Sequence, residues 1–230
     1  MISIQSLDFA YRAGEPVLHG LSAQFPLGQV HGIVGLNGAG KTTLFSLLGG
    51  LLPLQQGTVQ NGTGKLGFSQ VSFLPAENFF YPYCTGGDYL RLFGEAERIG
   101  EVNGLFGLPL DEFTDNYSTG MRKKLAVMGA LLQDKPIVLL DEPFNGLDLE
   151  SCGILSLIIG QLRQRGKTVL VSSHILGSLT EVCDRIYYLH GGCFERVVMP
   201  EEYSQFSQSI DASIRLRQEE AVNRAFGGSV

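Results

Sequence analysis

Val30-His-Gly-Ile-Val34, followed by Gly35-Leu-Asn-Gly-Ala-Gly-Lys-Thr42, is the stretch that decides how this chain folds. Its first segment is a nearly continuous apolar run, suited to a strand buried on both faces. From Thr42 to Leu52 apolar residues return at helical spacing, with Leu44, Leu47, Leu48 and Leu51 on one face and Pro53 as the stop. Between strand and helix lies the pattern G-x-x-x-x-G-K-[ST], in the context that makes it a phosphate cradle. Gly35, Gly38 and Gly40 let backbone N–H groups turn inward around an anion, and Leu36, Asn37, Ala39 and Thr43 complete the loop. The helix N-terminus adds partial positive charge. Lys41 reaches the β and γ phosphates of a nucleotide, and Thr42 offers a hydroxyl to Mg²⁺.

Working outward, the runs Ile137 to Leu140, Val169 to Val171 and Ile186 to Leu189 read as further strands covered on both faces. One helix starts at the N-cap Asp148, passes through Ile154, Leu155, Ile158 and Leu162, and stops at Gly166; another spans about Ile175 to Cys183. Strand, helix, strand, helix implies right-handed crossovers and a doubly wound parallel sheet. The first 30 residues alternate apolar and polar positions up to the turn Pro26-Leu-Gly28, as antiparallel strands do. The segment from Glu77 to Asp134 is helix-rich and breaks the alternation, so an inserted helical subdomain is expected there. Beyond Arg196 the chain turns polar, with Ile210, Ile214 and Leu216 as its apolar edge; a short helix or a loose tail is expected.

Ile137-Val-Leu-Leu-Asp141-Glu142-Pro143 ends a buried strand on two adjacent carboxylates, 100 positions after Lys41. Such charges repel unless a cation or a polarised water shares the site. Asp141 is the candidate Mg²⁺ ligand, and Glu142 the candidate base for a water attacking the γ phosphorus in line. His174, after Val169-Leu-Val-Ser-Ser, ends another core strand on the same sheet edge and is a candidate γ-phosphate contact. Alone, the acidic pair would pass for a solvated turn and the histidine for a structural one. A phosphate cradle on the same edge decides against both.

Composition narrows the partners. The chain has 230 residues, 44% of them hydrophobic, enough to bury a core without staples. Lys plus Arg number 17 against 23 Asp plus Glu, a net −6, so no direct nucleic-acid partner is expected and a bound anion must be held by local dipoles. The longest uncharged apolar stretches, 42–54 and 151–162, fall short of the roughly 18 to 20 residues that span a bilayer. MISIQSLDFAYR lacks the basic start and apolar run of a secretory signal, so a cytosolic location is expected. Cys84, Cys152, Cys183 and Cys193 lie far apart with no CxxC pair, which supports neither a zinc site nor a disulfide framework.

In combination these elements resemble the ATP-binding cassette (ABC) ATPases over nearly all of the chain. Tyr11, the Walker A loop Gly35 to Thr42, a signature segment Tyr117-Ser-Thr-Gly-Met121, the acidic pair Asp141-Glu142, a D-loop Asn145-Gly-Leu-Asp148 and the switch His174 stand in the family's order. The resemblance implies an α/β fold: a P-loop NTPase core with a mostly parallel sheet, an N-terminal antiparallel β subdomain and an α-helical signature subdomain. One nucleotide-binding domain would cover 1–230, with 77–134 inserted and 197–230 as a C-terminal extension. It further implies that Tyr11 stacks on adenine, that Glu142 and His174 are catalytic, and that Thr42 and Asp141 hold Mg²⁺. Ser118 and Gly120 would bind the γ phosphate held by a second subunit.

Two departures stand out. The signature differs from Leu-Ser-Gly-Gly-Gln at Thr119 and Met121, yet Ser118 can still cap a helix whose buried stripe is Leu125, Met128 and Leu132. In that helix's first turn Arg122, Lys123 and Lys124 oppose the dipole and are expected to face a negative partner, the same phosphate. After Val71-Ser-Phe-Leu-Pro75 the family places a glutamine that contacts Mg²⁺ and the attacking water, and here the position is Ala76. Glu77 is the candidate substitute, Gln70 lying too early; otherwise turnover is slow until the chain is complexed. Phe79-Phe-Tyr-Pro-Tyr83 falls where the family receives a short helix of a transmembrane subunit.

The resemblance thus implies a subunit that binds and hydrolyses ATP, with Mg²⁺, to power a transporter through ATP-driven dimerisation. One chain carries one Walker A and one signature. Its expected partners are therefore a second ATP-binding subunit, in a homodimer, and a separate transmembrane permease that holds it at the cytoplasmic face of the membrane. Tyr-Ser-Thr-Gly-Met is similar to the segment in ABC-2 type exporters. A soluble ABC ATPase of translation or DNA repair would carry two cassettes or a long coiled coil. An interaction module without turnover has Ala76 alone in support, and a P-loop kinase would need an acceptor pocket and a lid.

Overall fold

A hairpin of β1 (Ile2–Arg12) and β2 (Glu15–Phe25) begins the computed structural model, which describes residues 1–226. Ile2, Ile4, Leu7, Leu18, Leu21 and Phe25 point inward and are buried, as in an antiparallel sheet with one wet face. β3 (Val30–Val34) leads into α1 (Lys41–Leu48); β4 (Gln56–Asn61) and β5 (Gly64–Lys65) then complete a four-stranded antiparallel sheet in the order β2-β1-β4-β5. After β6 (Val71–Leu74) come three helices, α2 (Gly86–Arg91), α3 (Ala96–Asn103) and α4 (Thr119–Leu132). The rest alternates: β7 (Ile137–Leu140), α5 (Leu149–Gln164), β8 (Thr168–Ser173), α6 (Leu176–Thr180), β9 (Arg185–His190), β10 (Cys193–Val198) and α7 (Tyr203–Phe226).

The second sheet has the order β10-β9-β3-β8-β7-β6, and its neighbours are parallel except for β10 and β9. Alternate residues of its strands enter two different cores. Ile33, Ile137, Leu139, Leu170 and Leu189 pack against α1 and the antiparallel sheet. Val34, Val138, Leu140, Val169, Val171 and Ile186 pack against α4, α5, α6 and the start of α7. That two-sided burial is why these runs are apolar at consecutive positions. Leu125, Met128 and Leu132 of α4 join Leu90, Ile99 and Leu108 in a third cluster among the helices, while Ala126, Val127 and Ala130 turn to the sheet. The register pairs Val34 with Ser173 and Leu140 with both Val171 and Leu74. The carboxyl ends of β3, β8, β7 and β6 therefore share one edge, where ligands bind in sheets of this topology.

Two regions differ from what periodicity predicts. Helix α1 ends at Leu48, not Leu52, because Gly50 takes a left-handed φ of 69° and the N–H groups of Leu51 and Leu52 both turn back to the Ser46 carbonyl. Leu51 is consequently 65% exposed instead of lying in the apolar stripe. Helix α6 is likewise shorter than the expected 175–183. The stretch after Arg196 is neither a short helix nor loose: Val198 is fully buried in β10, and Tyr203 and Phe206 of the 24-residue α7 enter the core. The Tyr203 hydroxyl donates to the Cys183 carbonyl at 3.1 Å. Few anchors suffice there, so the polar composition concealed them. Ile210 packs on the same core, whereas the side chains of Ile214 and Leu216 lie outside the described residues. All four cysteines are free thiols. Among the described residues no helix is long and apolar enough to cross a membrane.

Candidate active site

The phosphate loop is shaped by close approach. A Cβ on Gly35 would stand 2.5 Å from the Leu189 carbonyl oxygen, so β3 can leave the sheet there only through glycine. Gly40, at φ 104°, is the N-cap of α1 and supplies no side-chain cap, which leaves the first N–H groups of the helix for an anion. Lys41 folds back across the loop: its buried Nζ donates to Gly35 O at 2.8 Å and Leu36 O at 3.5 Å and lies 3.3 Å from Glu142 Oε1.

Glu142 follows β7 in a left-handed conformation, φ 47°, rare for a residue with a side chain. Its carboxylate is nearly buried. Besides Lys41, Nδ1 of His174 lies 3.0 Å from Oε2, and Asn145 Nδ2 donates to Oε2 at 3.3 Å. Its N–H donates to Ser172 Oγ at 2.9 Å, and the same hydroxyl donates to Asp141 Oδ1. One serine thus fixes both acids. Asp141 is fully buried, and burial pushes its carboxyl above the usual range; the nearby hydroxyls of Ser172 and Thr42 oppose that shift, and the charge of Glu142 adds to it. Among the described residues its Oδ2 is buried without a hydrogen-bond partner.

Tyr11, Asn37, Gly38, Ala39, Gly40, Lys41, Thr42, Thr43, Glu142 and His174 line one cleft of about 490 Å³ with Val17 and Asn145, while Gly35 and Leu36 line the adjoining hollow beside His174. The Tyr11 hydroxyl lies 3.2 Å from Thr43 Oγ1, its ring stands edge to face with Phe9, and the residue is 62% exposed beside the cleft. Ser118 and Gly120 do not line the cleft. Ser118 caps α4, accepting from Met121 N at 3.2 Å, and a Cβ on Gly120 would lie 3.0 Å from the Gly146 carbonyl.

The expectation that the basic residues after the signature face outward to a phosphate is not met. Arg122 bonds the carbonyls of Thr114 and Asp115, Lys123 is buried against the Ala76 carbonyl, and Lys124 pairs with Asp148 at 2.9 Å. Glu77 is exposed and does not line the cleft. In the aromatic segment Phe79, Tyr81 and Tyr83 are exposed, and Phe80 turns in against Tyr89. Sequence reasoning missed Ser172 and Val17, and named Asn145 only as the start of the D-loop, not as a partner of Glu142. A signal existed for Ser172, since a serine inside an otherwise apolar strand must find a partner when buried.

A family model described as ABC transporter matches residues 18–145, more than half of the chain. The chain belongs to the ABC transporter family. The ABC transporter ATP-binding protein NatA of Bacillus subtilis (strain 168) is 33% identical over 187 residues, which is 72% of this chain and 74% of NatA. Among solved structures, the dimeric cassette MJ0796 in a post-hydrolysis state bound to ADP and Pi aligns with TM-score 0.78 at 22% identity, over 87% of this chain and 99% of that one. A bacterial Atm1-family ABC exporter with ATP bound aligns with TM-score 0.82 at 20% identity, over 94% of this chain and 41% of that one. The mixed α/β architecture, an antiparallel sheet beside a mostly parallel one, is the ABC ATPase fold, and the chain is an ATP hydrolase of the ABC type.

Proposed function

We propose that this ABC ATPase powers an exporter whose membrane-spanning part is a separate chain, working as a homodimer at the cytoplasmic face of the membrane. The placement of Glu142 carries the reading: a carboxylate in a left-handed turn, held by Lys41, Asn145 and His174 beside the phosphate loop. So held, it can orient a water in line with the γ phosphorus and take its proton. When ATP enters, Lys41 exchanges its contact with Glu142 for the β and γ phosphates, and His174 remains as the anchor of the base. The unpartnered Oδ2 of Asp141 and the adjacent Thr42 hydroxyl fit a cation that seeks oxygen ligands. Mg²⁺ bound there would neutralise charge on the phosphates. Tyr11 would cover the adenine.

In this reading the chain is one nucleotide-binding domain, with 77–134 as its signature-bearing insert. Ser118 and Gly120 stand outside their own cleft and serve the cleft of a second copy arranged head to tail. The dimeric state of MJ0796 supports that arrangement, as does the single signature in each chain. The transporter assignment is supported by NatA, named as an ABC transporter ATP-binding protein, and export by the likeness to the Atm1-family exporter and by Tyr117 to Met121.

Glu142→Gln is the direct test. The variant should keep ATP, accumulate as a dimer in light scattering, and lose at least about 10²-fold in turnover, as for loss of a general base. Normal hydrolysis would show Glu142 misassigned. Co-purification with an integral membrane protein is expected; ribosomes or DNA in its place would remove the transporter while leaving the ATPase.

A further inference from the structure

Helix α4 carries a charge into the protein. Lys123, its fifth residue, is 4% exposed, and taking an ammonium out of water is unfavourable unless something nearby rewards the charge. Burial holds this one below its usual range, while Asp141 and then Glu142 favour its protonated form. Among the described residues it forms no ion pair; its hydrogen bond goes to the Ala76 carbonyl, 3.3 Å away. Farther along α4, Ser72 of β6 donates to the Ala130 carbonyl at 2.6 Å. Strand β6 is therefore pinned to α4 at two points, one within the strand and one just past its end.

We propose that Lys123 is a positioning residue for hydrolysis, tying the exit of β6 at Ala76 to α4, a link that the methyl group of Ala76 cannot supply. The proposal rests on the ATPase reading above. Glu77, next in the chain, is exposed and turns away from that role. The same exit runs directly into Phe79, Tyr81 and Tyr83, which are exposed. Movement of that aromatic segment reaches Lys123 through the Ala76 carbonyl, and reaches Ser118 through the body of α4. The end of β6 also holds the first acid, whose N–H donates to the Leu74 carbonyl at 2.9 Å, so the strand tied by this ammonium joins an exposed surface, the signature turn and the acidic pair. Packing alone would not require the charge, because a methionine fills similar volume and replacing buried charges by apolar groups is often neutral or stabilising.

The test uses the full chain with Lys123→Met, Lys123→Gln, and each combined with Ala76→Gln. Both single variants at 123 should melt near the wild type and bind ATP with unchanged affinity. Their kcat should fall at least about tenfold with KM within about twofold, the mark of an interaction needed beyond ground-state binding. Ala76→Gln should restore most of the loss, and should gain more in the Lys123→Met background than in wild type, since residues sharing one task are non-additive. A kcat within about twofold of wild type in either folded variant overturns the proposal, as does a loss that Ala76→Gln leaves unrepaired. Wild type that binds ATP without turnover overturns the ATPase reading together with the proposal; wild-type turnover beside an indifferent Lys123→Met overturns the link alone.

Discussion

Ser172→Ala would remove the atom from which the acidic pair hangs. Ser172 Oγ is buried, accepts the Glu142 N–H at 2.9 Å and donates to Asp141 Oδ1. Glu142 sits at φ 47°, a conformation that costs about 1 to 2 kcal/mol for a residue with a Cβ and persists only where neighbours enforce it. Deleting Oγ loses a bond to a charged group, about 1.5 to 3 kcal/mol, and leaves a buried N–H without acceptor, about 1 to 3 kcal/mol. The two losses share an atom and are not fully additive, so a net destabilisation of about 3 kcal/mol is expected. For a chain of this length that lowers the melting temperature by about 6 to 12 °C. Turnover should fall about 10- to 100-fold, as when a partner that orients a metal ligand is lost. Urea unfolding followed by circular dichroism gives the first quantity and steady-state phosphate release the second. Ser172→Thr keeps the hydroxyl and should retain most of both. If Ser172→Ala unfolds within about 0.5 kcal/mol of wild type and turns over normally, the turn holds itself and the reasoning is wrong.

Two further outcomes follow from the same geometry. Lys41→Ala should weaken ATP binding by about 10²-fold or more in calorimetry, since charged hydrogen bonds to phosphate are lost from a buried position, and full affinity would contradict the phosphate assignment. His31 is fully buried with Nε2 donating to Pro26 O at 2.7 Å, and burial lowers its pKa from 6.5 to about 4. Below about 6.5 the unfolded chain takes up a proton that the folded chain refuses until about 4, so stability falls as pH drops through that window, by up to about 3 kcal/mol. His31→Phe should flatten that part of the stability profile; identical slopes for the two proteins would show that His31 is not the group responsible.

What could be read without coordinates was whatever one segment specifies by itself. Apolar residues at consecutive positions announced strands covered on both faces, and Gly35 to Thr42 announced a glycine loop between strand and helix, because each pattern has a local cause. Buried polar groups have no local cause. Ser172 matters because β8 lies between β3 and β7, which brings its hydroxyl against the acids of a neighbouring strand. Val198, Tyr203 and Phe206 enter the core because β10 pairs with β9 and returns the chain to it.

Arg122-Lys123-Lys124 shows the same limit most sharply. In sequence it is one basic patch, and a patch suggests one outward face and one anionic partner. A helix with 3.6 residues per turn sends successive side chains about 100° apart, so three adjacent cations cannot share a face. Arg122 turns to the Thr114 and Asp115 carbonyls, Lys123 inward to Ala76, and Lys124 across to Asp148 at the head of α5. Each is engaged within the chain rather than turned to one common anion. If an anion docks at the start of α4, the backbone N–H groups after Ser118 and the macrodipole must hold it, with Gly120 giving close access. Arg122 and Lys124 hold the helix where it presents that end, and Lys123 ties it to the exit of β6.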